Sequence, residues 1–277
     1  MLSIVIITRN AIRDLKICID SVLESTKNIP HELFVIDNGS TDGTVDILQN
    51  YGTQIQFFLL EKNYGVAYAR NIGLQKAKGE FIWILDVDTI VNQPAVEDML
   101  KYLENHSECG LCACRLQSEL GEVQDSCRQL PYPIHKIRNL LVAKLSNKGI
   151  IGKFRANIER KNEKQFYRKE LQDNQPFEVE YLIGACQMFR KKLLDEVGFL
   201  DDKIFYGPED ADFCLRISRK GYKIVCLPKY SIIHHYNRVS NKIIFSRMGF
   251  RHLKGVIYFY FKHFWGVGGF EGIFFFY

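Results

Sequence analysis

Apolar runs and amphipathic stretches alternate along the first half of the chain. Leu2–Ile7 is an apolar run typical of a strand buried on both faces. Residues 11–25 follow with apolar side chains at helical spacing, and Asn10 before them is a candidate N-cap. The same reasoning predicts further strands over 32–36, 55–60 and 81–85, and helices over 44–50 and 65–77. This alternation predicts parallel βαβ units, and therefore an α/β fold with a Rossmann-like, mostly parallel central sheet flanked by helices.

The second half of the chain has a less regular pattern. Residues 94–105 are predicted to be helical, with Pro94 near the N-terminus, and 109–116 to form a strand. The stretch 118–178 is polar and irregular, which is typical of a loop insertion or a mobile flap. The remaining pattern predicts a strand, a Gly184-Ala185-Cys186 turn and a helix start within 179–200, a helix over 209–220 and a strand over 223–227.

Polar side chains follow three of the predicted strands. They are Thr8, Asp37 and Asp86. In parallel sheets, ligands bind beyond the carboxyl ends of the strands. The sequence therefore predicts one cleft that holds all three side chains.

Composition narrows the class of protein. The chain has 277 residues, 47 % of them hydrophobic, which suits one large domain or a domain with an appendage and excludes a disordered chain. No apolar run approaches the length of a membrane-spanning helix, and the first residues lack the basic region of a signal peptide. We therefore expect a cytoplasmic location.

The C-terminal part is basic and aromatic. Residues 213–270 contain eleven Lys or Arg and no Asp or Glu, although the net charge of the whole chain is only +5. An amphipathic helix is predicted from Ile243, Ile244, Arg247, Phe250, Arg251, Lys254 and Ile257. Such a helix can bind an anionic membrane, and the protein would then be peripheral on its inner face. The alternative is that its aromatic residues pack on the rest of the chain or on a partner subunit of an oligomer. No nucleic-acid motif accompanies the charge, so no nucleic-acid partner is expected.

Asp86-Val87-Asp88 directly follows a predicted buried strand. Two carboxylates at a strand end can hold Mg²⁺ or Mn²⁺, hard cations that offset the charge of a diphosphate. The alternative is a surface turn that caps the next helix.

Two further segments suit a nucleotide. The Asp37 carboxylate, in a loop with Gly39 and Gly43, can accept hydrogen bonds from a base or a ribose. Gly65 permits a tight entry into a helix, and Arg70 within that helix could reach phosphates. The alternatives are an Asx turn for the loop and a surface salt bridge for Arg70.

Acidic residues and a histidine pair complete the candidate chemistry. Glu209, Asp210 and Asp212 crowd at a helix start, where mutual repulsion raises their pKa and favours a general base, although the helix dipole opposes that shift. The alternative is ordinary charging of a helix N-terminus. His234-His235 could supply a further metal ligand or could be structural.

Together these motifs resemble family 2 glycosyltransferases, including rhamnosyltransferase-like bacterial members. The matching segments are Ile6–Asn10, Val35–Gly43, Asn63-x-Gly65 with Ala69-Arg70-Asn71, Leu85-Asp86-x-Asp88, Gly184-Ala185-Cys186, Glu209–Arg216 and His234. These segments stand in the family's order, and the resemblance covers about residues 1–240. The resemblance implies a GT-A fold, with a catalytic domain over 1–240 (nucleotide-sugar half about 1–116, acceptor half about 117–240) and a C-terminal segment over 241–277.

The resemblance also implies a role for each matching residue. Asp210 would be the general base, and Asp88 and His234 would bind Mn²⁺ or Mg²⁺, although His235 could take the place of His234. The residues implied to bind the nucleotide-sugar are Thr8, Asn10, Asp37, Asn38, Asn63, Gly65, Arg70 and Asp86, the last of which would face the ribose or the metal. Those implied in a loop at the acceptor or donor sugar are Gly184, Ala185 and Glu209.

The implied activity is inverting transfer of a hexose or deoxyhexose. The donor would be a UDP- or dTDP-linked sugar, and the acceptor a hydroxyl of a growing glycan or glycolipid. Ile7 stands where the family usually has Pro, and Pro208 before the acidic pair is a second departure. Two alternatives are a sugar-phosphate nucleotidyltransferase, disfavoured by the absence of Gly from residues 2–11, and a non-catalytic scaffold, disfavoured by two intact carboxylate sites.

Overall fold

A computed structural model describes residues 1–133, 153, 156–159, 163–235 and 247–265. The longer strands are β1 (Leu2–Thr8), β2 (His31–Asp37), β3 (Gln56–Leu59), β4 (Phe81–Asp86), β6 (Cys109–Gln117), β10 (Cys186–Arg190) and β11 (Lys223–His234). The two-residue strands are β5 (Thr89–Ile90), β7 (Cys127–Arg128), β8 (Phe177–Glu178) and β9 (Tyr181–Leu182). The helices are α1 (Ile12–Thr26), α2 (Thr44–Gln49), α3 (Val66–Lys76), α4 (Gln93–Asn105), α5 (Leu193–Val197), α6 (Glu209–Arg219) and α7 (Arg247–Tyr260). Ile243 and Ile244 of the predicted C-terminal helix lie outside the described residues.

Nine of the described strands form one mixed sheet. Its order is β3-β2-β1-β4-β10-β6-β11-β5, with β8 paired to β11. The first four strands are mutually parallel. β10 runs antiparallel between β4 and β6, and β11 is parallel to β6. The predicted α/β fold with a mostly parallel sheet is therefore confirmed.

The middle of this sheet is the core of the molecule. β1, β2 and β4 carry β-branched and aromatic side chains that are almost entirely buried, as their continuous apolar runs predict. Trp83 in β4 is fully buried, and its indole N–H donates to Cys186 Sγ of the neighbouring β10 at 3.4 Å. Cys109, Cys112 and Cys114 are buried in β6, where they act as small apolar residues.

The N-terminus of α1 differs from the prediction. Asn10 does not cap this helix; it has a positive φ of 50°, and its side-chain oxygen accepts a hydrogen bond from the Thr41 amide at 2.8 Å. The first amides of the helix region are instead satisfied from the neighbouring loop. Ala11 N–H donates to Thr44 Oγ1 at 3.2 Å, and Ile12 N–H donates to Asp42 Oδ2 at 3.3 Å. The free amides at the start of α1 are thus satisfied by side chains from the loop after β2 and the start of α2.

The last strand is longer than predicted. Pro228 reads as a strand end because it cannot donate to a ladder. In the structure β11 passes through Pro228 with a register shift between Leu227 and Ser231, then pairs again with β6. This continuation carries the chain to His234, seven residues beyond the predicted end at 227.

The residues that follow α7 contact α6. Lys262 Nζ and His263 Nε2, just beyond α7, each lie 2.7 Å from Oδ1 of Asp212 in α6. Arg216 donates to the other oxygen of Asp212 at 2.8 Å. These partners hold the pKa of the fully buried Asp212 carboxyl well below its usual range, against the opposing effect of burial. Among the described helices, none is long and apolar enough to cross a bilayer.

Candidate active site

Three parallel strands end side by side and bring their polar residues to one edge. In the β1–β2 register Thr8 is opposite Asp37, and in the β1–β4 register Ile7 is opposite Asp86. Asp88 follows β4 in the turn to β5. The three strand ends therefore lie at one edge, because parallel strands share one carboxyl end, but of the three predicted cleft residues only Thr8 and Asp86 line the first cavity described below.

The far end of β11 adds a histidine to this edge. β5 pairs with β11 so that Thr89 is opposite His234, which sets the imidazole beside Asp88. One ligand atom each from Asp86, Asp88 and His234 lies within 4.8 Å of the other two. No other group of three such side chains meets this criterion among the described residues.

The tautomer of His234 suits a cation. Gln124 Nε2 donates to the His234 carbonyl at 2.8 Å, so Gln124 Oε1 faces His234 Nδ1 at 2.7 Å and accepts a hydrogen bond from its N–H. In the neutral imidazole, Nε2 is then left with its lone pair toward Asp88 Oδ1, 3.4 Å away. A cation between these two atoms would be bound by both, and the Asp–Asp–His set suits Mn²⁺ or Mg²⁺.

His235 points elsewhere. Its Nδ1 lies 3.1 Å from Asp14 and its Nε2 lies 2.9 Å from Glu119. Burial would lower its pKa, but these two carboxylates outweigh burial and raise the pKa of His235. Only its backbone N–H contacts the acidic turn, donating to the Asp88 carbonyl at 2.8 Å. Of the two histidines, the geometry therefore favours His234 as the ligand.

Arg70 links the strand end to helix α6. Its Nη2 donates to Asp86 Oδ1 at 2.5 Å and to the Gly184 carbonyl at 2.8 Å, while Nη1 donates to Glu209 at 3.4 Å. A Cβ on Gly184 would lie 2.5 Å from Nη1, so the guanidinium needs a glycine there. Arg70 is thus a buried bridge between two carboxylates rather than a surface side chain.

The carboxylates at this bridge differ in their electrostatics. Burial, reinforced by Asp88 and opposed by Arg70, raises the pKa of Asp86. Burial and the adjacent Asp210 raise the pKa of Glu209 to about 7, again against Arg70. Asp210 accepts hydrogen bonds from the Gly184 amide at 3.1 Å and the Ala211 amide at 2.8 Å. The backbone thereby orients Asp210 on the rim of a cavity.

Glu209→Gln is expected to remove a pH dependence from stability. The folded chain raises the pKa of Glu209 from 4.5 to about 7, so the folded state binds the proton more tightly and the free energy of unfolding falls as pH rises through this window. The fall is on the order of 1–3 kcal/mol. Urea unfolding with a chelator at about pH 5 and about pH 8 measures it. Glu97→Gln, on the exposed side of α4, is the control; an unchanged slope in Glu209→Gln would contradict the expectation.

Two cavities meet at the acidic turn. One, of about 350 Å³, is lined by Thr8, Asn38, Asn63, Gly65, Asp86 and Asp88 among others. The other, of about 380 Å³, is lined by Arg70, Gly184, Ala185, Glu209, Asp210 and His234 among others, and again by Asp86 and Asp88. The shared aspartates stand between a space at the strand ends and a space in front of α6.

The structure separates six of the eight predicted nucleotide-sugar residues into two groups; of the other two, Asp86 lines both cavities and Arg70 only the second. Thr8, Asn38, Asn63 and Gly65 line the first cavity, and the buried Thr8 hydroxyl has no hydrogen-bond partner within the described ranges. Asp37 does not line it: the side chain is buried and accepts from the amide and hydroxyl of Ser40. Asn10 does not line it either, because it is exposed and bound to Thr41 as described above.

Sequence reasoning missed several cavity residues. Phe205 and Tyr206, in the loop before α6, and Met248 of α7 line the first cavity, and His252 of α7 lines the second. Gly65 has a φ of 98°, and a Cβ there would lie 2.6 Å from the Phe205 carbonyl, so this loop closes directly on the start of α3. The aromatic C-terminal composition was the available signal for α7. Nothing in the pattern singled out Gln124.

A sheet of this order, with an Asp–Asp–His group at its strand ends, is the architecture of the GT-A glycosyltransferases. A GalNAc-T7 structure with UDP, GalNAc and Mn²⁺ superposes with a TM-score of 0.63, at 17 % identity over 86 % of this chain and 44 % of that one. The mannosyltransferase PcManGT from Pyrobaculum calidifontis, in complex with GDP-Man and Mn²⁺, gives a TM-score of 0.57 at 16 % identity over 86 % of this chain and 57 % of that one. Residues 3–198 match the glycosyl transferase family 2 model, and the chain belongs to this family.

Curated relatives make glycans of several kinds. A poly(ribitol-phosphate) β-N-acetylglucosaminyltransferase, TarP, from Staphylococcus aureus is 30 % identical over 66 % of this chain and 58 % of its own length. A chondroitin synthase from Pasteurella multocida is 29 % identical over 79 % of this chain but only 23 % of its own length. An N-acetylglucosaminyl-diphospho-decaprenol L-rhamnosyltransferase from Mycobacterium tuberculosis is 24 % identical over 84 % of this chain and 76 % of its own length. The match thus spans less than two thirds of the first two proteins.

Proposed function

We propose that this glycosyltransferase moves a sugar, with inversion, from a UDP- or dTDP-linked donor to a hydroxyl of a growing glycan carried on a lipid. The observation that supports this most is the junction of two cavities at Asp86 and Asp88, the second of which is also lined by Asp210. A donor whose nucleotide occupies the first cavity would present its sugar to the second. The Mycobacterium relative, which acts on a diphospho-decaprenol acceptor by name, supports the lipid carrier.

The first cavity suits the nucleotide. The Thr8 hydroxyl is free to meet a base or ribose. Asn38 donates to the Gly65 carbonyl at 3.0 Å and accepts from the Tyr64 amide at 2.9 Å, which keeps the glycine turn open beside the pocket. Asp37 contributes indirectly, since it holds the loop through Ser40. We therefore assign Thr8, Asn38, Asn63 and Gly65 to the donor, and Asn10 and Asp37 to the loop behind it.

The metal belongs at the junction. Asp88 and His234, with Asp86, would hold Mn²⁺ or Mg²⁺, which when bound supplies positive charge to the leaving diphosphate. Gln124 fixes the His234 ring so that Nε2 faces inward. Arg70 fixes Asp86 and, through Glu209, ties that strand end to α6.

Proton transfer falls to Asp210. The acceptor oxygen forms a bond to the anomeric carbon, the bond from that carbon to the diphosphate oxygen breaks, and its electron pair leaves with the diphosphate. The acceptor proton passes to the Asp210 carboxylate, which the Gly184 and Ala211 amides keep aimed at the cavity. Glu209 is less available as a base because it is buried and its carboxyl accepts from Arg70 Nη1 at 3.4 Å.

A panel of nucleotide sugars tests the proposal. With Mn²⁺ present, we expect release of UDP or dTDP from one donor, stimulated by a lipid-linked acceptor and abolished by a chelator. Donor binding without release from any nucleotide sugar would favour a scaffold. Formation of a nucleotide sugar from a nucleoside triphosphate and a sugar phosphate, with release of pyrophosphate, would favour a nucleotidyltransferase.

A further inference from the structure

Helix α7 has two faces in different surroundings. Its inner face, which includes Gly255, Val256, Phe259 and Tyr260, is buried against the loop before α6. Phe250, Leu253 and Ile257, spaced by three and four residues, form an outer stripe with exposed fractions of 62 %, 53 % and 45 %. The same stripe continues just past the helix at Phe261, which is 59 % exposed. Helix α7 is therefore apolar on both sides, and only one side is covered by the described chain.

Cations border the outer stripe. Arg247, Arg251 and Lys254 are all exposed, and residues 247–265 contain no Asp or Glu. Arg251 lies over the ring of Phe205 with its guanidinium carbon 3.9 Å from the ring centroid. An apolar stripe beside positive charge, with no acidic residue between, is complementary to a surface with an anionic outer layer and an apolar layer beneath it.

The inner face holds α7 in this orientation. A Cβ on Gly255 would lie 2.7 Å from the Gly207 carbonyl, so helix and loop are in close contact. The pairing of Lys262 and His263 with buried Asp212 ties the far end of α7 to α6. A roll that buried the outer stripe would break these contacts and leave the Asp212 carboxylate with Arg216 alone. Packing on the rest of the chain thus accounts for the inner face but not for the outer one.

We propose that the outer face of α7 binds an anionic lipid bilayer. A second copy of this chain is the weaker occupant, because a face-to-face pairing of two such helices would bring Arg247 and Lys254 against their own counterparts. Acidic headgroups would instead meet these cations while Phe250, Leu253 and Ile257 enter the boundary of the acyl chains.

The biological role of this membrane binding rests on the proposed function. His252 and Val256 of α7 line the same cavity as Asp210, so the bilayer would lie against the outer side of the helix whose inner side borders the acceptor space. An acceptor anchored in lipid would then reach the Asp210 carboxylate by extending past one helix.

Vesicle co-sedimentation of the full chain tests the inference. Vesicles of phosphatidylcholine mixed with phosphatidylglycerol are expected to bind at least about tenfold more protein than pure phosphatidylcholine, with binding weakened by salt. The triple variant Phe250→Gln/Leu253→Gln/Ile257→Gln keeps helix propensity and should lose about tenfold in binding. Arg247→Gln/Lys254→Gln should lose the preference for phosphatidylglycerol.

The control removes exposed apolar side chains elsewhere. Ile17→Gln/Leu59→Gln, at positions 46 % and 50 % exposed, should bind vesicles as the parent does. Equal binding to both kinds of vesicle, binding that the triple variant retains, or a dimer in solution that the triple variant dissociates would each overturn the inference. Release of nucleoside diphosphate without vesicles is measured in parallel: if it persists while vesicle binding fails, the proposed function stands and this inference falls.

Discussion

Asp210→Asn is expected to lower the rate of sugar transfer by about 10²–10⁴-fold, the range set by a general base, while donor affinity stays near that of the parent. The amide is isosteric but cannot take up the acceptor proton. Its oxygen can still accept from the Ala211 amide, so the rim of the cavity should keep its shape. Single-turnover transfer and calorimetric titration of the nucleoside diphosphate with Mn²⁺ separate the two effects.

The neighbouring carboxylate provides the matched control for that experiment. Glu209→Gln changes an adjacent acid on the same helix turn, and since Glu209 is buried and bonded to Arg70, transfer at pH 7 should fall much less than in Asp210→Asn. A thermal melt of both variants checks folding. If Asp210→Asn transferred sugar at nearly the parental rate, the base would have to lie elsewhere, and Glu209 would be the next residue to test.

Asp88→Ala is the second change with a large expected effect. It removes one acceptor of the Asp86–Asp88–His234 group and leaves His234 Nε2 without its facing carboxylate. Metal ions contribute several kcal/mol to stabilising a leaving diphosphate, so transfer should fall by about 10³-fold or more. Manganese electron paramagnetic resonance, with the donor diphosphate absent, would show weaker binding of the ion by the variant.

A carboxylate just outside this group is the control for Asp88. Asp14 lines the same first cavity but contacts His235, not His234, so Asp14→Asn should leave Mn²⁺ affinity close to the parent. Near-normal turnover of Asp88→Ala at saturating donor would remove the metal assignment. Loss of Mn²⁺ affinity in Asp14→Asn would shift it toward His235.

Much of the fold could be predicted because the first half of the chain follows local rules. The apolar runs that became β1, β2 and β4 end in Thr8, Asp37 and Asp86, and parallel topology alone brings those ends together. Strand β10 was harder. The predicted strand lay before the Gly184-Ala185-Cys186 turn, whereas β10 begins at Cys186, and its antiparallel insertion between β4 and β6 depends on distant pairing.

The candidate site shows the same division. The turn at Asp86 and Asp88 and the acidic start of α6 were found from residue types at strand and helix ends. The choice of His234 over His235 could not be made, because it depends on the β5–β11 pairing and on Gln124, 110 positions away in the chain. Asp37 and Arg70 are residue types that often bind ligands. In this fold Asp37 instead accepts a hydrogen bond from Ser40, and Arg70 pairs with two carboxylates.

The residues that line the first cavity are synthesised at different times. Thr8 and Gly65 come from the first quarter of the chain, whereas Met248 comes from α7 near its other end. The ribosome synthesises the N-terminal strands first, and these strands can pair before the last helix has been made. A nascent chain therefore carries Asp86 and Asp88 for most of its synthesis before α7, which lines the same cavity, has been made. The translating polypeptide should consequently hold nucleotide sugars poorly until α7 has docked.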